Sequence, residues 1–226
     1  MSEQNDFEPL FTASLDLDEA GLERGDEAII GDQVIRLLLR ENRIALAKGK
    51  SALVQPAGAD PGVSYYDVPL ICVVHSHPEC RFRWSRLMID LSPTKEARIR
   101  DMVPREVRGD KPVELKTTFG GGLKFEAVAK ILSTDLTAEY SRSQTVYYPE
   151  IVSSGPGFTR GYWDFLALSS DYLHANRELR LLISAPADVH VKARFNLRAK
   201  VRFAGTTRLI PLLIRSGEIN ETYRLD

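Results

Sequence analysis

The clearest structural signal in this chain lies in residues 189–203, which read Val-His-Val-Lys-Ala-Arg-Phe-Asn-Leu-Arg-Ala-Lys-Val-Arg-Phe. Every odd-numbered position is apolar and every even-numbered position is polar. Because successive side chains of a strand point to opposite faces, this pattern predicts a strand with one face in a core and one face in water. The stretch is longer than the usual strand of about five or six residues, so we expect it to bend, to bulge or to pass between two sheets.

Working outward, residues 65–226 consist of short apolar segments separated by Gly- and Pro-rich turns, which favour an antiparallel β-sandwich. Residues 26–41 place Ile30, Val34 and Leu38 four apart, a helical spacing. We therefore predict a mainly β chain (α+β by count of helices) with a small α-helical N-terminal part at 26–54. Residues 1–25 are acidic and are predicted to form a partly disordered tail.

Residues 65–91 predict a β-hairpin, because the apolar run 68–74 is followed by a turn at 76–79 and an alternating segment. Inward positions of that second strand would be Cys80, Phe82 and Trp84, and outward positions Arg81, Arg83 and Ser85. In this register Cys72 lies too far from Cys80 for a disulfide bond. We therefore expect two free thiols, as is usual for a cytoplasmic protein.

Composition excludes several classes of protein. The net charge is −1, which gives no overall attraction to nucleic acid or membranes. The N-terminus lacks the basic and apolar regions of a signal peptide, and no apolar run reaches the ~18 residues of a membrane helix. The alternation at 189–203 would also suit a membrane-inserted strand, but such strands carry aromatic girdles, which this stretch lacks. We expect its apolar side chains to pack in a core.

Charge is unevenly distributed along the chain. Residues 1–35 carry ten acids against Arg24 alone, whereas residues 189–226 carry eight bases against three acids. We predict a binding surface for an anion or for another protein on the polar face of 189–203, enlarged by two arginines if their strand lies in the same sheet. Its members are Lys192, Arg194, Arg198, Lys200, Arg202, Arg81 and Arg83.

Two other interpretations of these bases are open. The face is either simply solvated, as an edge protected by Lys and Arg would be, or it is covered by the acidic N-terminal segment. Nucleic acid is disfavoured as the partner, because no aromatic side chains alternate with the bases on this face of the strand, as stacking would require.

His75 and His77 form the one candidate metal site. Two histidines at i and i+2 of a strand point the same way, and Cys80, Glu79 or Asp90 would add a third ligand. Together with Pro78 and Ser85, the pair resembles the JAMM metalloprotease motif, which implies a zinc-dependent hydrolase. The sequence departs from that motif at Met88, which stands where the third zinc ligand belongs, with Asp90 two positions later.

The sequence thus favours a non-enzymatic binding module without a cofactor, engaging a partner protein or an anion through a charged sheet face. The alternative is a metal-dependent hydrolase, with zinc bound by His75, His77 and Cys80. On geometry we expect no stoichiometric metal, because the turn after His77 directs Glu79 and Cys80 away from the two histidines.

Overall fold

The computed structural model describes residues 7–22, 42–75, 77, 79–118, 124–128, 141–167, 178–203, 209–214 and 221–226, with the backbone alone at 75, 110–118, 124–128, 141–148 and 203. Within these ranges the chain is mainly β, and its one helical element is the 3-10 turn Glu19–Gly21. The strands are β1 (Glu8–Leu17), β2 (Arg43–Lys48), β3 (Ala52–Val54), β4 (Val63–His75), β5 (Cys80–Asp90), β6 (Arg98–Val103), β7 (Glu106–Thr118), β8 (Lys124–Val128), β9 (Ser141–Ser154), β10 (Arg160–Leu166), β11 (Glu178–Pro186), β12 (Lys192–Phe203), β13 (Ile210–Ile214) and β14 (Tyr223–Arg224).

These strands form one continuous antiparallel sheet, in the order β6-β11-β4-β2-β1-β13-β12-β5-β10-β9-β7-β8, with β3 beside β4 and β14 beside β12. The sheet turns back on itself at β1, which divides it into two halves. One half runs from β6 to β2 in this order, and the other from β13 to β8. The first part of β1, up to Ser14, pairs with β2, and residues 15–17 pair with β13. One strand therefore belongs to both halves of the sheet.

The two halves also meet on the other side, where β6 lies against the connection between β9 and β10. The backbone N–H of Ile99 donates to the carbonyl of Phe158 (2.9 Å), and that of Gly157 donates to the carbonyl of Ile99 (2.7 Å). A Cβ at Gly161 of β10 would lie 2.7 Å from Sδ of Met102 in β6, so only glycine fits there. The sheet is consequently nearly closed, like a barrel.

The core lies inside this sheet and follows from the alternation in each strand. The odd positions from 191, just before β12, to 201 are all buried, and Leu197 and Val201 are completely inaccessible. Phe195 packs against Phe11 of β1 and Tyr223 of β14, with ring centroids 6.3 and 6.1 Å away. Val189 departs from the predicted pattern and is 40% exposed, because it lies in the turn before β12 rather than in the strand.

The mainly β antiparallel prediction is confirmed, whereas the sandwich with a helical N-terminal part is not matched. Residues 43–48 and 52–54 form β2 and β3. The alternation of Ile44 and Leu46, both fully buried, explains the strand at β2. The helix was predicted on residues 26–41, all of which lie outside the described residues. Within the predicted tail, β1 is a sheet strand that buries Ala13 and Leu15.

The predicted hairpin at 65–91 is wrong in its pairing. Both strands form, but β4 pairs with β2, β3 and β11, while β5 pairs with β10 and β12. The connection at 76–79 crosses from one half of the sheet to the other, because each strand buries its apolar side in the shared interior. Cys72 and Cys80 are both free and buried, as predicted, although the pairing that led to this prediction does not occur.

Candidate functional site

The outward side chains of β12, β5 and β10 form a regular grid, because the three strands are neighbours in antiparallel register. Each row crosses the three strands in that order. We call this surface the basic face. Its rows are Arg194, Asp90 and Arg160; Asn196, Met88 and Tyr162; Arg198, Arg86 and Asp164; and Lys200, Trp84 and Leu166.

Of the sequence-predicted binding residues, the structure brings Arg194, Arg198 and Lys200 into this grid. Lys192 lies beyond its first row, at the start of β12. Arg202 and Arg81 face each other across β12 and β5 beyond its last row, and Arg83 lies between Arg81 and Trp84 along β5. The predicted arginines of β5 thus lie beside the bases of β12, in a single sheet.

Two carboxylates on the basic face are each held by one arginine. Asp164 accepts two hydrogen bonds from Arg86, from Nε and Nη2, both at 2.7 Å. Asp90 accepts one from Nε of Arg160 at 3.1 Å and one from the backbone N–H of Ser92 at 2.8 Å. Burial raises the pKa of Asp90, but these hydrogen bonds outweigh it, so the pKa lies below its usual value. Asp90 is therefore ionised near neutral pH, and both carboxylates already accept hydrogen bonds from an arginine.

The remaining bases of the grid have no such counter-charge. Among the described residues, no carboxylate lies within ion-pair distance of Arg194, Arg198 or Lys200. Arg198 lies directly opposite Arg86. Like charges opposite one another destabilise a sheet unless an acid, an anion or solvent compensates them.

Positive charge is also concentrated beyond the last row of the grid. Burial lowers the pKa of the Arg83 guanidinium, and the nearby charges of Arg202 and Arg81 lower it further. The smaller part of this shift comes from the two neighbouring charges. Arg202, Arg81 and Arg83 therefore extend the basic face toward the end of β12.

A β-bulge places an aromatic side chain on the basic face. Lys200 pairs with Trp84 and Val201 with Phe82, so Arg83 is the extra residue. The bulge reverses the predicted alternation, and Trp84 is turned outward while Ser85 is fully buried. The Arg86 guanidinium lies 3.9 Å from the ring centroid of Tyr162 and 5.5 Å from that of Trp84, which are cation–π distances.

Sequence reasoning missed Trp84, Arg86, Tyr162, Asp164 and Arg160 as members of this surface. The period-two pattern of 160–166 was a usable signal, since it places Arg160, Tyr162 and Asp164 on one side of a strand. The sequence carried no signal for the outward position of Trp84, because the bulge beside it depends on pairing with β12 and not on the neighbouring residues of β5.

A shallow cleft of about 200 Å³ opens at the first two rows of the grid. It is lined by Arg194, Asn196, Asp90, Arg160 and Met88, with Ile89 and Phe195 below them. Oδ1 of Asn196 is shielded from solvent and accepts no hydrogen bond. This cleft combines an arginine that has no carboxylate partner with an amide whose hydrogen-bonding capacity is incompletely used.

The histidine site is arranged differently from the prediction. His75 ends β4 and its side chain is not described, as is also true of Ser76 and Pro78. His77 lies in the following turn. Its backbone N–H donates to Oδ1 of Asn42 (3.0 Å), and its Nδ1 accepts from the backbone N–H of Glu79 (3.1 Å). One ring nitrogen of His77 is therefore engaged in the turn.

The proposed third ligands do not converge on His77. Cys80 points into the core, where its Sγ lies 3.5 Å from Nδ2 of the buried Asn42. Asp90 lies at the far end of β5, roughly 30 Å from Cys80 at the usual rise per residue. Across the part of the chain that the structure describes, no group of three or more His, Cys, Asp or Glu residues could hold a metal ion. Ser85, a match to the JAMM motif, is fully buried.

Comparison with known proteins identifies no family. No protein-family model matches the chain, and no curated protein matches its sequence. Among solved structures, Clostridium perfringens delta-toxin aligns with a TM-score of 0.36 and 10% identity over 81% of this chain and 82% of that chain. The Clostridium perfringens NetB toxin in its membrane-inserted form aligns with a TM-score of 0.32 and 9% identity over 80% and 88%. We draw no functional conclusion from likenesses this distant. No helix in the described ranges is long and apolar enough to cross a membrane.

Proposed function

We propose that this chain is a non-enzymatic binding module that engages an acidic partner, a protein or another anion, through the basic face. The supporting observation is the group of bases Arg194, Arg198 and Lys200 on one exposed sheet face, with the carboxylates of the grid already committed to other arginines. An acidic partner would relieve the repulsion between these charges. We also keep the prediction of a cytoplasmic location as part of this proposal.

The regular backbone of three paired strands supports this proposal over a merely solvated edge. Charged side chains protect a sheet edge when a strand has an unpaired side. Strand β12 pairs with β5 over residues 194–203, with β13 over 198–201 and with β14 at 192 and 193. Arg198 and Lys200 lie in the part that is paired on both sides, so they are not needed to protect an edge.

The other two interpretations receive less support. Part of the acidic segment that would cover the bases is β1, which is built into the sheet between β2 and β13. The hydrolase centred on His75 and His77 gains no ligand contact among the described residues, and it remains a hypothesis that a zinc measurement on the purified protein would test.

Retention on immobilised poly-glutamate and on heparin tests the proposed function. We expect the parent protein to bind and to elute with rising salt, because salt screens charges on an exposed face. The double variant Arg198→Glu with Lys200→Glu reverses two charges of the basic face and should elute at clearly lower salt. The matched control is Arg43→Glu with Lys50→Glu, which reverses two exposed bases on the other half of the sheet.

Because both double variants change the net charge equally, their difference reports the location of the charge. Elution of the control at the parent's salt concentration, with loss of retention in the basic-face variant, supports the proposal. Equal loss in both variants would show a net-charge effect without a specific face, and a parent protein that is not retained on either matrix would exclude the proposed function.

A further inference from the structure

The cleft at the first two rows of the basic face has the chemistry of a site for one acidic side chain. Its volume of about 200 Å³ is below the 300–1,000 Å³ typical of pockets that enclose a whole small-molecule ligand. A space of this size suits a single side chain that projects from a larger partner. The partner's main chain would then lie over the surrounding grid.

The charge of the cleft indicates which side chain fits. Asp90 directly faces Arg194 across the strands, and it could in principle neutralise it. Its two oxygens are instead taken by Arg160 and by the N–H of Ser92. The guanidinium of Arg194 therefore presents its donors to a ligand, and a carboxylate, like a phosphate, matches their paired geometry.

The amide of Asn196 indicates what accompanies that carboxylate. Its Oδ1 lacks a hydrogen-bond donor, and a half-turn about the terminal torsion exchanges Oδ1 with Nδ2. The side chain can therefore offer the cleft either an acceptor or a donor. A peptide group carries both an N–H and a carbonyl, so it can bond whichever of the two amide atoms faces the cleft.

Single-stranded nucleic acids fit this surface less well, because they are commonly recognised by stacking of their bases on exposed aromatic rings. The aromatic rings of the basic face, Trp84 and Tyr162, are already engaged by Arg86, whose guanidinium lies 3.9 Å from the Tyr162 ring centroid. DNA in addition offers no backbone N–H beside its phosphates for Asn196.

We propose that this cleft binds an Asp or Glu side chain from an exposed acidic segment of a partner protein, with the carboxylate on Arg194 and the adjoining peptide group on Asn196. This inference rests on the proposed function and narrows it to an acidic peptide. It also assigns distinct tasks within the basic face: the cleft selects a carboxylate, whereas Arg198 and Lys200 attract negative charge in general.

Fluorescence anisotropy with a fluorescein-labelled deca-glutamate peptide tests this assignment. The variants are Arg194→Gln, which removes the charge in the cleft, and Asn196→Leu, which removes the amide while keeping a side chain of similar size. Lys192→Gln is the matched control, because it removes an exposed charge from the same face of β12 outside the cleft. We expect about tenfold weaker binding for Arg194→Gln, since a charge-assisted pair is lost. Asn196→Leu should weaken binding several-fold, and Lys192→Gln by less than about threefold.

Competition with unlabelled heparin and with a ten-residue oligothymidylate identifies the class of ligand. If displacing the labelled peptide takes more heparin or oligothymidylate than unlabelled deca-glutamate, the result supports a peptide site. Tighter binding of heparin or oligothymidylate that also depends on Arg194 would overturn the peptide assignment. If Arg194→Gln and Lys192→Gln weaken binding equally, the assignment of the carboxylate to the cleft is overturned, but the proposed function of the basic face is not. The double variant Arg198→Glu with Lys200→Glu tests separately whether the basic face binds anions.

Discussion

At the scale of single residues, the buried Asn42 connects the two halves of the sheet. It receives the backbone N–H of His77 on Oδ1, and its Nδ2 lies 3.5 Å from Sγ of Cys80. A buried amide of this kind fixes the crossing from β4 to β5, because leaving either partner unsatisfied inside the protein is costly. Sequence offered no signal for this role, since Asn42 precedes a strand and its partners lie 35 and 38 residues away.

The thiol of Cys72 should be chemically inert in the folded protein. Burial raises its pKa to about 12, and only the thiolate is nucleophilic. At pH 8 about one thiol in ten thousand is then ionised, against about a quarter at the usual pKa of ~8.5. Because the folded pKa is raised, the stability that this thiol contributes is fully present below about pH 8.5 and is lost as the pH rises through the folded value.

Labelling with a disulfide reagent at pH 8 checks this prediction. We expect negligible reaction of the native protein and reaction of both cysteines after unfolding in guanidinium, since Cys80 is buried as well. Rapid labelling of the native protein at pH 8 would contradict the burial of these residues.

At the scale of elements, the bulge accommodates Arg83 as one extra residue of β5 between the inward Phe82 and the outward Trp84. Without the extra residue, Phe82 and Trp84 would be in adjacent positions and would still lie on opposite faces. Deleting Arg83 should therefore remove the bulge while keeping Trp84 outward and Ser85 inward, and it should be tolerated with a loss of roughly 1–2 kcal/mol or less, within the range of ordinary substitutions.

Deleting Met88 is the matched control, because it lies in the regular part of the same strand. A slip of one residue there sends one end of the strand to the wrong face, so we expect this variant not to fold. Urea unfolding monitored by tryptophan fluorescence distinguishes the two deletions. An unfolded Arg83 deletion, or a stable Met88 deletion, would refute the assigned position of the bulge.

The elements also show which parts of the structure are readable from sequence. The alternation at 189–203 correctly predicted the buried odd positions from 191 to 201, in and just before β12, because local side chains alone set the face of a strand. The grid of the basic face was predictable only in part, since Arg86 and Asp164 meet through pairing between β5 and β10. Pairing partners far apart in sequence leave no local trace, and for the same reason the hairpin at 65–91 was mispredicted.

At the scale of the whole molecule, β1 is structural rather than a removable screen for the bases. Deletion of residues 1–17 removes the buried Ala13 and Leu15 together with the pairing to both β2 and β13. We expect the truncated chain to lose cooperative unfolding, because both halves of the sheet lose their shared strand. Deletion of residues 1–6 alone should leave the unfolding transition close to that of the parent.

Circular dichroism during thermal unfolding separates the two truncations. A cooperative transition in the protein lacking residues 1–17 would show that the two halves of the sheet hold together without β1, and stronger polyanion binding by that folded protein would restore the acidic segment as a cover for the bases.

Because β1 pairs with both halves of the sheet, its detachment would expose two unpaired strand edges at once, along β2 and along β13. Each exposed edge carries unpaired backbone N–H and C=O groups, spaced to hydrogen-bond with the backbone of β1. A β1 donated by a neighbouring copy would restore the backbone hydrogen bonds that were broken, and exchange of an identical element is a low-cost route to a dimer. The strand that pairs with both halves of the sheet, β1, is thus also the element through which two copies of the chain could associate.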